Sequence, residues 1–228
     1  MIPIYVPRGA AKEYGDYALN IYTGCPHKCW YCFAPNVLRC GREAFGKFVE
    51  PRMEIVAETR RQLERDTELR DKLIHLCFTC DPYPTGRDSS TTREIIKLLK
   101  EYGNHIQILT KGDGSRDLDL LDENDWYGVT LDGSEDADTS ATRMQAVGAA
   151  AAQGIKTWVS FEPVLEPAKV LVYIQMWHEL FDKVKIGKLN HFTTSTDWKA
   201  FGAEAVTLCE QLGVDYYIKD SLRKEMEA

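Results

Sequence analysis

The sequence lacks any long hydrophobic run. None of its 228 residues falls in an apolar stretch of the length, about 20 residues, that crosses a bilayer. The first residues also lack the basic segment and unbroken apolar core of a secretory leader. We therefore expect a cytoplasmic protein with no membrane partner. Glycine and proline are not in excess, at 16 and 9 residues, which argues against disorder and repeats.

Positive charge is scarce as well. The chain has 28 Lys and Arg against 35 Asp and Glu, a formal net charge of -7. Proteins that grip nucleic acid over their whole surface use many cations to neutralise phosphates, so that mode is disfavoured. Around a group of three cysteines the balance reverses, with cations at Lys28, Arg39, Arg42, Lys47 and Arg52 and acids at Glu43 and Glu50. These charges are either solvated loop residues or a patch for phosphate or carboxylate groups.

The length and the cysteine content restrict the class of protein further. A chain of 228 residues buries enough surface to fold without disulfides, and we expect one domain over 1–228. Seven cysteines are an odd number. In a reducing compartment they indicate metal binding or reactive thiols.

Hydrophobic periodicity predicts alternating strands and helices. Short apolar runs predict seven strands, at 17–23, 72–80, 105–110, 126–131, 155–161, 182–187 and 214–218. Helical patterns with capping signals lie at 53–66, 91–103, 142–154, 168–181 and 198–213. The strands read as continuous apolar runs, which is typical of a parallel sheet covered by helices. The predicted fold class is α/β with about six β-α units, arranged as either an open doubly wound sheet or an incomplete barrel.

Polar residues collect where the predicted strands end. In both α/β arrangements, ligands bind at the carboxyl ends of the strands. Some of these residues are expected to cap helices, and the others to line one pocket. The residues at these strand ends are Thr23, Gly24, Cys25, Thr79, Cys80, Asp81, Thr110, Lys111, Thr130, Asp132, Glu162, Lys188, Asn190 and His191.

The motif "CPHKCWYC" places Cys25, Cys29 and Cys32 in the spacing C-x3-C-x2-C. Thiolates bind soft metals, and structural zinc and ferredoxin-type sites both need four protein ligands. A second pair of suitable spacing is missing, since the closest one, in "CFTC" at 77–80, falls on a predicted buried strand. Three ligands leave one coordination position open, which marks a catalytic centre. The alternative is a zinc loop with a distant fourth ligand, such as Cys40 or His27.

This motif, with an aromatic residue before its last cysteine, resembles the radical S-adenosylmethionine (SAM) superfamily. The resemblance implies a [4Fe-4S] cluster on Cys25, Cys29 and Cys32, with SAM bound at the fourth iron. Reductive cleavage of SAM would give a 5'-deoxyadenosyl radical that abstracts hydrogen from a substrate. It further implies a partial (β/α)6 TIM-type barrel, with the cysteine loop after the first strand, and an external one-electron donor of the flavodoxin or ferredoxin type.

Within the superfamily, "FTCDPYP", "ILTKG" and "RDLDLL" resemble the spore photoproduct lyase-like branch, often labelled DNA repair photolyases. The resemblance implies that Lys111 contacts the cofactor carboxylate, that Cys80 and Thr130 also contact the cofactor, and that Tyr31 packs near its adenine. Glu162 and Asn190 complete the predicted cofactor-binding set. A buried carboxylate at 162 would need a partner such as Lys188.

Two residues are candidates for catalysis. Cys80 is predicted to donate a hydrogen atom, with a small buried filler as the alternative. Tyr83 and its neighbour Asp81 either reach the pocket or build the turn that Pro82 and Pro84 impose.

The branch also differs from this chain. The lyase's hydrogen-donating cysteine falls at Phe78, and the chain is much shorter than a lyase, so thymine-dimer reversal is disfavoured. Nucleic acid is the substrate class that the resemblance favours, with a peptide or a small metabolite as the alternative. A hypothesis of another class is a non-catalytic iron-sulfur or zinc module.

Overall fold

The computed structural model describes residues 2–228, and within that range the chain forms eight strands and eight α-helices. The strands are β1 Ile4–Tyr5, β2 Tyr17–Leu19, β3 Leu73–Leu76, β4 His105–Ile108, β5 Trp126–Thr130, β6 Lys156–Val164, β7 Lys183–Lys188 and β8 Asp215–Ile218. The helices are α1 Ala34–Leu38, α2 Arg42–Lys47, α3 Ile55–Arg65, α4 Ser90–Glu101, α5 Ala137–Ala151, α6 Pro167–Trp177, α7 Trp198–Leu212 and α8 Asp220–Glu227. No helix in the described range is long and apolar enough to cross a membrane.

The chain divides into two compact units, Met1–Trp126 and Tyr127–Ala228. In the first, β1 pairs antiparallel with β2. Strands β2, β3 and β4 then pair in parallel, and Gln107 of β4 pairs in parallel with Trp126, where β5 begins. The segments that follow β2, β3 and β4 therefore leave the same edge of the sheet, which is the edge where α/β proteins bind ligands.

The second unit repeats the alternation. Strand β6 pairs in parallel with β7, and β7 pairs in parallel with β8. Helix α7 ends at Gly213, whose φ of 70° is the left-handed conformation that glycine adopts without steric cost. The sequence signal for this helix end is thus confirmed.

The buried pattern of β3 and α4 explains why these segments fold as they do. Ile74 and Leu76 are fully buried in β3. Ile95, Ile96 and Leu99 are fully buried in α4 at helical spacing, so this helix turns one apolar face inward. The core of the first unit thus fixes the ends of β3 and β4, from which the site residues leave.

All seven predicted strands and all five predicted helices are present, but several bounds differ. The strand predicted at 72–80 ends at Leu76, because the chain leaves the ladder there and bends at 78–80. The N-terminal capping signal predicted for the helix at 91–103, Thr91 followed by Glu94, is wrong, since α4 begins at Ser90 with Ser89 at its N-cap position and without a side-chain cap. Strand β1 and the helices α1, α2 and α8 were not predicted.

Candidate active site

The three-cysteine motif lies on a loop that follows β2 and closes on itself. The backbone N–H of Thr23 donates to Glu50 O at 2.9 Å, and that of Cys25 donates to Phe45 O at 3.0 Å. A Cβ on Gly24 would lie 2.4 Å from Phe45 O, so the two arms of the loop approach too closely for any other residue. The residues between these arms form the cysteine loop, 24–50.

The three cysteines of the motif are free thiols and partly buried. Burial raises the pKa of the Cys25 and Cys32 thiols. The Arg42 guanidinium donates to the backbone carbonyls of Cys29 at 3.2 Å and Cys32 at 2.8 Å, so it holds the turn between these two cysteines. The loop therefore presents three thiols from a backbone that its own hydrogen bonds fix.

These thiols fit an iron-sulfur cluster better than a single zinc ion. Zinc bound at about 2.3 Å by tetrahedral thiolates draws their sulfurs to about 3.8 Å from one another. Among residues 2–228, the only three ligand atoms gathered within 4.8 Å belong to His105, Asp122 and Asp125, and no cysteine is in that group. The site supplies three soft ligands at wider spacing and leaves the fourth position to another molecule.

Asp81 joins the cysteine loop to the ends of β3 and β4. Its carboxylate is buried, and Oδ1 accepts hydrogen bonds from the Thr110 hydroxyl at 2.5 Å and the Tyr83 N–H at 2.8 Å. Oδ2 accepts the Lys111 N–H at 2.8 Å and lies 3.1 Å from Nε2 of His27. The residue was expected either to build a turn or to face the pocket. It builds the turn and also links three segments of the site.

The charge of Asp81 is held by these contacts. Burial alone raises the pKa of this carboxyl, but the nearby His27 and the hydrogen bonds from Lys111 and Thr110 outweigh burial and place the pKa below its ordinary value. The His27 ring nitrogen Nε2 lies 3.1 Å from Asp81 Oδ2, close enough to favour the charged form of the carboxylate. A negative charge is therefore kept beside the cysteine loop.

Tyr31 and Lys111 were predicted separately as cofactor contacts, and they lie together. The Lys111 ammonium donates to the Tyr31 hydroxyl at 2.6 Å and lies 5.3 Å from the centre of its ring. Both side chains are partly exposed. The pair thus places a cation and an aromatic ring next to the last cysteine of the motif, Cys32, which is the combination needed to hold a carboxylate and an aromatic base.

Cys80 lies beside Tyr22, just before the start of the cysteine loop. Its sulfur accepts the backbone N–H of Tyr22 at 3.3 Å, and its thiol is partly exposed. The neighbouring Cys77 is buried; burial, together with the contact to Cys80, raises its pKa. Asn20 fixes the backbone between them, accepting from the Phe78 and Thr79 N–H groups at 2.7 Å and 2.9 Å. The roles predicted for Cys80 stay predictions.

Tyr83 is packed into the first unit. It is 2% exposed, and its hydroxyl donates to Asp117 at 3.1 Å. A Cβ on Gly112 would lie 1.9 Å from Tyr83 O, and one on Gly114 2.5 Å from its ring. This packing gives Tyr83 a structural role in the first unit, and its predicted catalytic role stays a prediction.

Three predicted cofactor contacts belong to the second unit. Thr130 ends β5 and is buried, and its carbonyl accepts from Arg143 at 2.9 Å. The partner of Glu162 is Lys219, at 3.1 Å, and not the expected Lys188. Lys219 reaches it because it is buried at the end of β8 next to β7.

Lys188 bonds to Glu225 of α8 instead. Asn190 is partly exposed and makes only long contacts, to Lys188 O at 3.3 Å and Ser221 Oγ at 3.4 Å. Its amide therefore has weak structural ties, whereas Glu162 is committed to a buried ion pair. The cofactor roles of all three residues stay predictions.

Sequence reasoning missed Arg42, His27 and Asn20 as supports of the site. His27 was considered only as a zinc ligand, and Arg42 only as a member of a charged patch. The available signal was their position, within or next to the cysteine motif and at the end of β2. Long-range hydrogen bonds such as Asn20 to Phe78 leave no pattern in the sequence.

Comparison with known proteins agrees with this geometry. Residues 19–167 match the Radical SAM superfamily model. An uncharacterized protein of Methanocaldococcus jannaschii is 26% identical over 171 residues, which is 69% of this chain and 64% of that protein. An uncharacterized protein of Mycobacterium tuberculosis H37Rv is 33% identical over 125 residues, which is 52% of this chain and 36% of that protein.

Among solved structures, the FeFe-hydrogenase maturase HydG from Carboxydothermus hydrogenoformans is similar over 92% of this chain and 55% of its own, with a TM-score of 0.53 at 14% identity. The chain thus spans between about a third and two thirds of the proteins it matches. The match confirms the predicted fold class, an α/β fold of the partial-barrel type. The superfamily uses a [4Fe-4S] cluster and SAM, as predicted. This chain, with its cysteine motif inside the matched region, belongs to the Radical SAM superfamily.

Proposed function

We propose that the chain is an enzyme that cleaves SAM reductively and passes the radical to a substrate. The observation that carries this proposal is the cysteine loop: three free, partly buried thiols on a backbone closed by its own hydrogen bonds, with Lys111 and Tyr31 paired beside them. An electron carrier has no need of a cation and an aromatic ring beside an open ligand position. This arrangement favours the enzyme over the non-catalytic module.

The protein's own residues would bind and orient the cofactors. Cys25, Cys29 and Cys32 would hold the [4Fe-4S] cluster, which when bound and reduced supplies the electron that breaks a sulfur-carbon bond of SAM. The Lys111 ammonium would pair with the cofactor carboxylate, and Tyr31 would pack against its adenine. Asp81 holds the backbone of Lys111 through its N–H, and the ammonium of the same residue would turn from the Tyr31 hydroxyl toward the ligand.

The substrate is proposed at the level of chemical class. Nucleic acid, as in the spore photoproduct lyase-like branch, is supported by the motifs "FTCDPYP" and "ILTKG". A peptide or small metabolite is supported by the acidic net charge of -7 and by Phe78 at the position of the lyase's hydrogen-donating cysteine. Cys80, two residues further along, is proposed as the hydrogen-atom donor of this chain.

Anaerobic reconstitution tests the proposal. The protein is loaded with iron and sulfide, reduced, and supplied with SAM, and 5'-deoxyadenosine is quantified. We expect its formation in the native chain and its loss in Cys29→Ala, with the exposed Cys40→Ala as the matched control that keeps it. A loaded cluster that yields no 5'-deoxyadenosine in the native chain would refute the enzyme and favour the binding module.

The role of Lys111 is tested on the same preparation by SAM binding. Lys111→Gln removes a charge-assisted hydrogen bond of about 1.5 to 3 kcal/mol, so the dissociation constant of SAM should rise about tenfold to a hundredfold. Lys97→Gln, an exposed lysine on α4, is the control that should leave it unchanged. Equal affinities in the two variants would remove Lys111 from the cofactor site.

A further inference from the structure

A cavity of about 570 Å³ opens beside the cysteine loop, and two of the cluster cysteines line it, Cys29 and Cys32. The same cavity is lined by four exposed cations, Lys28, Arg42, Lys47 and Arg87. Glu43 is the one acidic residue in its lining. The chain as a whole has a net charge of -7, but the cavity beside these cysteines is positively charged. This local positive charge attracts anionic partners.

Three of the four cations contact other parts of the cysteine loop. Arg87, from the segment after β3, donates to the Lys47 carbonyl at 3.0 Å. The stem of Lys28 packs against Gly46, where a Cβ would lie 3.2 Å from its Cγ. Arg42 is tied to the carbonyls of Cys29 and Cys32. Contacts with the loop backbone thus hold Arg42 and Arg87 at this surface, and Lys28 packs along Gly46.

Exposed aromatic rings accompany the cations. Trp30, which lines the cavity, is 54% exposed, and Phe48, next to Lys47, is 62% exposed. Large exposed aromatic residues combined with arginine are the composition that distinguishes protein interfaces from the rest of a surface. A second protein is therefore a better fit than a small anion.

We propose that this basic cavity is the docking site for an acidic one-electron donor protein; the inference rests on the proposed function. The donor would pass one electron to the oxidised [4Fe-4S] cluster, so the donor loses one electron and the cluster gains one. The cavity suits that step because its lining includes two cluster ligands, which places a docked protein against the cluster. Encounters of this kind use small interfaces and depend on charge for their rate.

The competing occupant is nucleic acid, whose phosphates would bind the same cations. It is less favoured because the cavity ends on the cluster thiols and not on groups that read bases or ribose. The two occupants are distinguished by whether electron delivery depends on the cations.

The experiment measures reduction of the reconstituted cluster, followed by the EPR signal of its reduced form, without SAM. One reductant is a reduced flavodoxin, an acidic flavin protein, and the other is photoreduced 5-deazariboflavin, a small uncharged molecule. The test variant is Lys47→Glu/Arg87→Glu. The matched control, Lys199→Glu, reverses the charge of an exposed lysine in the second unit.

We expect the double variant to lower the rate with flavodoxin by about tenfold or more, and to leave the rate with 5-deazariboflavin within about twofold. Raising the salt concentration should slow the reduction of the native chain by flavodoxin. The rates of the native chain and the double variant should therefore become more similar. Reduction by flavodoxin at the native rate in the double variant would overturn the proposal, as would an equal loss in Lys199→Glu. If the double variant is reduced by flavodoxin at the native rate but no longer binds a single-stranded DNA oligonucleotide, the proposal is also overturned. The cavity would then be assigned to nucleic acid.

Because the readout is cluster reduction, it does not depend on SAM cleavage. Failure of the docking site leaves 5'-deoxyadenosine formation with 5-deazariboflavin intact. Failure of the proposed function removes that product in the native chain, while the reduction rates can still be compared.

Discussion

Single residues hold the site together through backbone groups that come from distant parts of the chain. Asp81 is the clearest case, because its two oxygens bond the Tyr83 N–H, the Thr110 hydroxyl and the Lys111 N–H, and one of them lies beside His27. A buried carboxylate is stable only when such partners replace its water. The residue therefore stabilises the ends of two strands and the cysteine loop at once.

The first prediction concerns Asp81→Asn. The amide keeps the shape of the carboxylate but carries one acceptor oxygen in place of two, so either the Lys111 N–H or the bonds to Tyr83 and Thr110 are lost in a buried place. We expect the free energy of unfolding of the metal-free protein to fall by about 1 to 3 kcal/mol. Urea denaturation followed by circular dichroism measures this change.

The control for this prediction is Asp113→Asn. Asp113 is exposed, and its Oδ1 accepts one bond, from the Ser115 N–H at 2.9 Å, which an asparagine oxygen also accepts. Its free energy of unfolding should stay within about 0.5 kcal/mol of the native value. A change of the same size in both variants would contradict the special role of Asp81.

At this scale the sequence predicted types of residue better than their partners. Cys25, Cys29 and Cys32 are identified by local spacing, because one loop carries all three. The bond from Lys111 to Tyr31 joins residues 80 positions apart, and the Glu162–Lys219 ion pair joins β6 to the residue that follows β8. Such pairs follow from strand order and register, and the sequence pattern specifies neither, which is why Lys188 was the wrong partner.

At the scale of elements, the loop from β5 to α5 is stabilised by a buried ion pair. Glu135 accepts the backbone N–H groups of Asp132 at 2.9 Å and Gly133 at 3.0 Å. Arg143 of α5 reaches back to Glu135 at 2.8 Å and to the Thr130 carbonyl at 2.9 Å. One helix residue thus fixes both the loop and the end of the strand that carries a predicted cofactor contact.

The second prediction is that Arg143→Met destabilises the protein by about 2 to 4 kcal/mol, because Glu135 stays buried without its cation. Chemical denaturation measures the change. The matched variant, Lys183→Met, removes a cation from an exposed ion pair with Asp215 in the same unit. It should cost less than about 1 kcal/mol. Equal losses would show that burial of the pair is not the cause.

The positions of strands and helices can be predicted from the sequence where buried apolar residues recur at regular spacing. Strand β3 is recognisable from Ile74 and Leu76, but the apolar run continues through Cys77 and Phe78, so the predicted strand extends to residue 80. The side chain of Asn20 ends the regular structure there by taking the Phe78 and Thr79 N–H groups out of the ladder. The short helices α1 and α2 lie in the cysteine loop and are too brief to show a clear period.

At the scale of the whole molecule, the main feature is how cooperatively the chain unfolds. The sequence predicts one domain over 1–228, while contacts divide the chain into two compact units that meet in sequence at Trp126 and Tyr127. Strand β5 spans this boundary, since it runs from Trp126 to Thr130. A break in stability between the units would have to pass through a strand, whereas domain boundaries usually fall in exposed linkers. We therefore keep the single domain as a prediction.

The third prediction tests it with the two variants already described. If residues 1–228 unfold as one cooperative domain, Asp81→Asn in the first unit and Arg143→Met in the second will each shift the whole transition. Tryptophan fluorescence and far-UV circular dichroism should give coincident curves in each variant, because every part of the structure is lost together. If the units are independent, each variant will move one of two transitions and leave the other at its native midpoint, and the two probes will separate. The unfolding curve of the native chain, measured under the same conditions, is the reference for both variants. A shift of the whole transition in both variants is therefore due to the substitutions.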